Sequence, residues 1–256
     1  LSPGVNAGIL DLARKRIVRR ISLLANGKFL EVQLEELLKV PGIELGLHFN
    51  VTYGHPHPYE EEGMALTSIT EAAAGRRKFL PPARFFLRWI TTIQKKEAVQ
   101  ELRQAFAGQL RVLEVLGITP GYLDGHHHTH LIPGVMRALK DELFERRLTQ
   151  VRLVLDRRLL FSHRWPLYCL SLWQRYHFKH WGLHSLPCFY PSHREFTDRR
   201  LPEFLRGKTG EVIVHPAMYP DFDIFGVQDR YDKAWIEEYN VLSRLENLFP
   251  LPEVSV

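Results

Sequence analysis

The sequence predicts an α/β fold of parallel strands joined by crossover helices. Three observations predict it. Short apolar, β-branched runs alternate with longer stretches of helical periodicity along the whole chain. Helix-starting and helix-stopping residues bracket those stretches. Polar, chemistry-bearing residues gather at the carboxyl ends of the strands, where parallel α/β folds place their functional groups.

The elements follow in order. Ser2-Pro3 caps a helix from Gly4 to Arg16, with Val5, Ile9, Leu12 and Ala13 at helical spacing. A strand from Ile21 to Ala25 closes at Asn26-Gly27. A helix from Leu30 to Lys39 stops at Pro41-Gly42, and Ile43 to Asn50 forms the second strand. Residues 54–82, rich in Pro, Gly, His and Glu, read as a long loop with a short helix at Thr70 to Ala74. A helix from Lys96 to Leu116 ends at Gly117, and strand three runs from Gly121 to Gly125. Pro133 to Arg146 is helical, Gln150 to Asp156 is strand four, and residues 163–191 are aromatic-rich and mostly helical. Glu211 to His215 is a strand, Pro216 to Gln228 a loop, and Tyr231 to Leu248 the last helix. No repeat or linker interrupts the chain, so residues 1–256 read as a single domain. In this architecture a strand should precede the opening helix, and the sequence shows none there.

Composition narrows the class. With 45% hydrophobic and 25% charged residues, the 256-residue chain resembles an ordinary globular protein. No run approaches the ~18 apolar residues of a membrane helix. Two cysteines, Cys169 and Cys188, are too few for a disulfide framework, which points to a reducing, cytoplasmic setting. The net charge of +5 concentrates partly in Arg76-Arg77-Lys78, Arg84, Arg88 and Lys95-Lys96 among Phe79, Phe85, Phe86 and Trp89. That stretch reads as a basic amphipathic surface helix rather than a dedicated patch for nucleic acid or an anionic membrane surface. The aromatic run Trp165, Tyr168, Trp173, Tyr176, Phe178 and Trp181 suits core packing, sugar stacking or a membrane surface.

The chemistry centres on Asp124-Gly125-His126-His127-His128-Thr129-His130. Imidazole is the commonest metal ligand and titrates near neutrality. Strand parity puts His48 and Asn50 on one face of strand two, and Tyr122, Asp124 and His126 on one face of strand three. His215 ends the strand before Pro216. By the same parity His127 points away, while His128 and His130 line a pocket or bond loop backbone. Asp124 either orients a histidine or braces a turn, and Arg152 either meets substrate or pairs with an acid. His55 and His57, between prolines, read as exposed loop residues.

Four segments carry a family resemblance: Leu1-Ser2-Pro3-Gly4-Val5-Asn6, Gly46-Leu47-His48-Phe49-Asn50-Val51-Thr52, Leu123 to His130, and Val214-His215-Pro216. In this order they resemble the motifs of the YdjC-like carbohydrate deacetylases, from residue 1 to about 245. The resemblance implies an irregular (β/α) TIM-like barrel and removal of an acetyl group from an N-acetylated amino sugar by a divalent metal, Mg2+ or Zn2+. It makes His48 and His126 metal ligands. The third ligand and the general base would come from an Asp-Asp-Phe-Gly motif that ends the family's first strand, which the sequence does not contain. His215 is the candidate general acid for the departing amine. Asp124, His128, His130, Asn50 and Arg152 are expected around the ligands.

The expected partners are an N-acetylated sugar or a glycolipid, with no nucleic acid. A peripheral membrane contact and a homodimer are both compatible with the sequence. Two other readings stand beside the deacetylase: a non-catalytic carbohydrate- or metal-binding homologue, and another metal hydrolase such as a phosphoesterase.

Overall fold

A computed structural model describes residues 2–62, 66–73, 75–92, 95–189, 191, 196–197, 199–206, 210–220 and 232–245. Eight helices and eight strands occur among them, alternating as the sequence predicts except over residues 70–115, where two strands in a row are followed by two helices. Six strands hydrogen-bond in the order β1-β2-β5-β6-β7-β8: β1 Arg20–Leu23, β2 Glu44–Phe49, β5 Tyr122–Gly125, β6 Gln150–Val154, β7 His184–Phe189 and β8 Glu211–Val212. The β2–β5, β5–β6 and β7–β8 pairings are parallel, which makes this an α/β fold. The chain divides into two compact units, residues 22–27 with 45–187, and residues 1–21 with 28–44 and 188–256.

The first unit holds β2, β5 and β6 with helices α3 Pro82–Thr92, α4 Lys96–Val115, α5 Val135–Glu145 and α6 Trp165–Trp181. Alternation sets its core: Leu47 and Phe49 on β2, Leu123 on β5, and Val151 and Leu153 on β6 are all buried. Phe106 of α4 meets Phe49 edge-on at 5.5 Å. Gly117 adopts φ 73 just past α4 and stops it, as predicted.

The second unit holds α1 Pro3–Arg14, α2 Leu34–Leu38, α7 Arg200–Leu205 and α8 Asp232–Arg244. Ser2 caps α1 by accepting the Val5 amide at 3.4 Å. Leu12, Phe204, Val241 and Leu242 form its buried cluster. A Cβ on Gly8 would lie 2.6 Å from the Pro216 carbonyl oxygen, so α1 and the segment after His215 touch through backbone.

Three expectations change. Residues 70–73 form no helix: β3 Thr70–Ala73 pairs antiparallel with β4 Arg76–Phe79, with Gly75 between them at φ 77, and residue 74 of the predicted helix lies outside the described residues. The alanines favour helix locally, but a glycine reversal followed by the buried Phe79 and Leu80 favours a hairpin, and burial wins. Within the aromatic stretch, Gly182 (φ 72) ends α6 and releases β7, a strand the helical reading absorbed. Helix α7 also goes beyond the sequence reading, and the last strand shortens to Glu211–Val212. Residues 221–228, 231 and 246–248 of the predicted final loop and helix lie outside the described residues.

Under the end of β2 lies a buried amide–carboxyl network. Asn50 donates its backbone N–H to Gln109 Oε1 (3.0 Å) and its side-chain amide to Asn26 Oδ1 (2.9 Å) and the Tyr53 carbonyl (2.8 Å). Glu60 accepts from the His57 amide (2.7 Å), Asn26 (3.1 Å) and Gln109 (2.8 Å). Helix α4 approaches so closely that a Cβ on Gly108 would sit 2.6 Å from the Glu60 Cα. Burial pushes the Glu60 carboxyl up to about 8, against the pull of its N–H partners.

A raised carboxyl keeps a proton in the folded state that the unfolded chain releases. Glu60 therefore lowers stability as pH rises from about 4.5 to about 8, and not beyond. Urea melts across that window should show a slope that Glu60→Gln reduces by up to ~1.4 kcal/mol per pH unit, one proton's worth. An unchanged slope in the variant would refute this.

Candidate functional site

Parallel pairing places His48 of β2 opposite Asp124 of β5 at their carboxyl ends. Their side chains share a face, and His48 Nδ1 lies 2.7 Å from Asp124 Oδ1. A carboxylate only accepts, so Nδ1 carries the proton and Nε2 presents a lone pair. That Nε2 lies 3.2 Å from Nδ1 of His126, the residue just past β5. The two rings meet edge-on, 5.3 Å between centroids.

Asp124 is the hub. Its Oδ2 accepts from Ser22 Oγ of β1 at 3.0 Å and from the Arg152 guanidinium of β6. Arg152 also donates to Ser22 Oγ (3.1 Å) and lies over the Tyr122 ring, 4.8 Å from its centroid. Burial alone would raise the Asp124 carboxyl. The N–H that His48 directs at it and the Arg152 guanidinium outweigh burial and hold the group well below the usual carboxylate range. Asp124 is therefore an ionised acceptor that fixes the His48 tautomer. The two alternatives for Arg152 resolve in favour of pairing with an acid.

Beyond Gly125 the strand ends, and strand parity with it. His127 (φ 51) and His128 (φ 56) both adopt left-handed backbone, which costs an L-residue roughly 1–2 kcal/mol each. Such outliers cluster at functional sites. The reversal turns His127 back rather than away: its ring lies 4.0 Å from that of His126, and its Nδ1 is 3.0 Å from Thr52 Oγ1. His128 is half-buried, 6.3 Å ring to ring from His130. His130 is buried and donates Nε2–H to the Arg152 carbonyl at 2.9 Å. Burial lowers its pKa to about 4, so it is neutral.

Gly125 itself has ordinary extended backbone, φ −140, so the need for glycine there is spatial. A Cβ would lie 2.7 Å from His130 Nδ1 and 3.1 Å from Thr129 Oγ1. Among the described residues, those two buried atoms have no hydrogen-bond partner.

The remaining predicted residues divide. Asn50 is buried and every polar group of its side chain is engaged, with Thr52 N donating to its Oδ1 (3.1 Å), so it fixes the loop after β2. His55 and His57 are half-buried rather than exposed. His55 Nδ1 lies 2.6 Å from the Arg77 carbonyl, and His57 caps the 3-10 turn Pro58–Glu60 by accepting the Tyr59 amide. His215 belongs to the other unit. There its backbone N–H donates to Glu238 Oε2 (2.6 Å) and its ring stacks on Trp235 at 5.6 Å. Ser22 and Thr52 escape the sequence reading. Ser22, a hydroxyl between Ile21 and Leu23 in an apolar strand, carried a signal; Thr52 carried none.

The donor set fits two ligands of a divalent ion. At ligand distances of about 2.0–2.1 Å, two imidazole nitrogens on one ion stand roughly 3–3.4 Å apart, as His48 and His126 do at 3.2 Å. Among the described residues no third His, Cys, Asp or Glu completes a metal group.

The sequence model of the family described as YdjC-like protein matches residues 1–246. Among solved structures, the fold matches that of a "putative cellobiose-phosphate cleavage protein" from Enterococcus faecalis V583. The TM-score is 0.63 at 18% identity, over 94% of this chain and 86% of that one.

Two substitutions probe the geometry by thermal or denaturant melts. Gly125→Ala should cost roughly 1–3 kcal/mol through overpacking against His130. Arg152→Met should cost roughly 3–5 kcal/mol by leaving the buried Asp124 without its cation. Wild-type stability in either variant would contradict the packing or the pairing described.

Proposed function

Because the chain belongs to the YdjC-like protein family, we propose that it is a metal-dependent hydrolase removing an acetyl group from an N-acetylated amino sugar. At the level of the family this is carbohydrate deacetylase-type chemistry. The barrel closure and the substrate class belong to the same proposal. The observation that carries it is the convergence of His48 Nε2 and His126 Nδ1 at 3.2 Å, with His48 locked by an ionised Asp124.

His48 and His126 would hold one divalent ion. When bound, it supplies a Lewis acid for the acetamide carbonyl and an acidified water. Asp124 keeps the His48 lone pair directed outward and offsets the positive charge of the site. Ser22 and Arg152 keep Asp124 ionised and fixed, so the ring of His48 does not have to reorganise during turnover. The left-handed pair His127-His128 sets where His126 leaves the strand. Zinc is favoured by two imidazoles on ligand softness, and magnesium by the family resemblance. The third ligand and the base of the Asp-Asp-Phe-Gly motif correspond to no residue of this sequence. The departing amine needs a proton, and His215 remains the candidate from sequence for that role.

A second reading rests on the two-histidine donor set: metal or carbohydrate binding without turnover. Calorimetric titration with Zn2+ and Mg2+, paired with acetate release from N-acetylglucosamine oligomers, separates the two. With the family's Asp-Asp-Phe-Gly strand joined ahead of Leu1, the deacetylase reading expects about one ion per chain and acetate release. His48→Ala and His126→Ala should abolish binding, and Asp124→Asn should weaken it ~10–100-fold. His215→Gln should keep the ion and lose ~10²–10⁴-fold in turnover. Binding without acetate release supports the second reading. Metal affinity that survives loss of either histidine overturns both.

A further inference from the structure

Helix α6 buries the aromatic Tyr168 and Phe178, yet it leaves a second set of large apolar side chains exposed. Its buried side includes the polar Ser171 and Gln174, each engaged: Ser171 Oγ accepts the Val154 amide (3.1 Å), and Gln174 Nε2 reaches the His130 carbonyl (3.3 Å). Its outer side carries Trp165, Leu172, Trp173 and Tyr176, from 41% to 64% exposed. The 3-10 segment before it, Arg157–Phe161, adds Leu160 and a Phe161 that is 93% exposed. Large apolar side chains normally go inward, and a contiguous exposed set marks an interaction surface.

The charge around this surface selects the partner. From residue 157 to 187 the sequence holds Arg157, Arg158, Arg164, Arg175 and Lys179 and no Asp or Glu. Arg157, Arg158, Arg175 and Lys179 are exposed. A second acid-free stretch, residues 72–96, holds seven more Lys and Arg. Its helix α3 shows Phe86, Leu87 and Ile90 outward beside Arg84 and Arg88. These two stretches contain 12 of the 34 Lys and Arg and none of the 29 Asp and Glu; Arg84 pairs with Glu71 and Arg158 with Asp156, acids that lie just before each stretch, and cations remain in excess. Two copies meeting through such a face would oppose cation to cation. Exposed Trp and Tyr bordered by cations match instead the headgroup layer of an anionic bilayer, where amphipathic rings sit and Arg and Lys meet phosphate.

The position is also telling. Strand β6 runs parallel to β5, so Arg157–Phe161 leaves the same end of the strands as the histidine run. Trp89 of α3 donates to the Pro133 carbonyl (3.0 Å), just beyond that run. We propose that Leu160, Phe161 and the outer face of α6 dock this protein onto an anionic phospholipid surface, on the side of the unit that carries His48 and His126. A substrate sugar tethered to a lipid would then be met at the bilayer. Docking does not depend on the proposed reaction, and it is read without turnover.

Co-sedimentation of the full chain with phosphatidylglycerol–phosphatidylcholine vesicles and with phosphatidylcholine alone tests this. Binding is expected with the anionic vesicles only, and should weaken at least ~tenfold when salt is raised to ~0.5 M. Phe161→Ser with Trp165→Ser should reduce partitioning at least ~tenfold, and Arg175→Glu with Lys179→Glu should act likewise. Unchanged melting temperatures in these exposed-site variants confirm that folding is intact. Absence of vesicle binding overturns the proposal, as does equal binding to neutral vesicles or binding indifferent to both double variants. Binding to single-stranded DNA but not to vesicles overturns it in favour of a nucleic-acid face. A dimer that Phe161→Ser with Trp165→Ser dissociates, without vesicle binding, overturns it in favour of self-association.

Discussion

The Asp124 carboxylate ties together four neighbouring strands. Ser22 comes from β1, His48 from β2, Asp124 from β5 and Arg152 from β6, and all meet at one pair of oxygens. A buried carboxylate is tolerated only when its charge is matched and its lone pairs are filled. Here both conditions are met, which makes the arrangement specific: removing any partner leaves a charge or a donor stranded. The site's geometry follows from it. The tautomer of His48, and so the direction of its free lone pair, is set by which nitrogen the carboxylate claims.

Close backbone approach is the second constraint. The Tyr122 ring lies where a Cβ on Gly46 would be, at 2.4 Å, so the glycine of the Gly-Leu-His segment makes room for the ring under Arg152. Gly125 does the same for His130, and Gly108 for the turn that carries Glu60. None of these three glycines has positive φ, so space and not backbone freedom is what each supplies. The strain of the site is stored instead in His127 and His128. His127 is met there by Thr52 Oγ1 and by the ring of His126, and His128 by the ring of His130.

The molecule separates its polar and apolar resources unusually. Helix α6 spends Ser171 and Gln174 on the interior, where one accepts the Val154 amide of β6 and the other donates to the His130 carbonyl of the histidine loop. Trp165, Trp173 and Tyr176 of the same helix face outward, while Tyr168 and Phe178 face the core. The interior polar groups make the site rigid, and the exterior aromatics give that end of the strands a character of its own. Among the described residues no helix is long and apolar enough to cross a membrane.

The sequence by itself determined the α/β alternation, because strand and helix periods are local. It also placed His48, Asp124 and His126 at strand ends, because parity is exact while a strand lasts. Parity failed at His127, where the strand stops and two left-handed residues reverse the chain. The β3–β4 hairpin and β7 escaped for a similar reason: local propensity competes with pairing that only distant partners supply. The roles of Arg152, Asn50 and Ser22 were undecided or unseen in the sequence. Each depends on which neighbour lies within about 3 Å across the sheet. A charge that pairs and a charge that waits for substrate look alike in a sequence; only the tertiary structure, by filling the space around them, decided between the two.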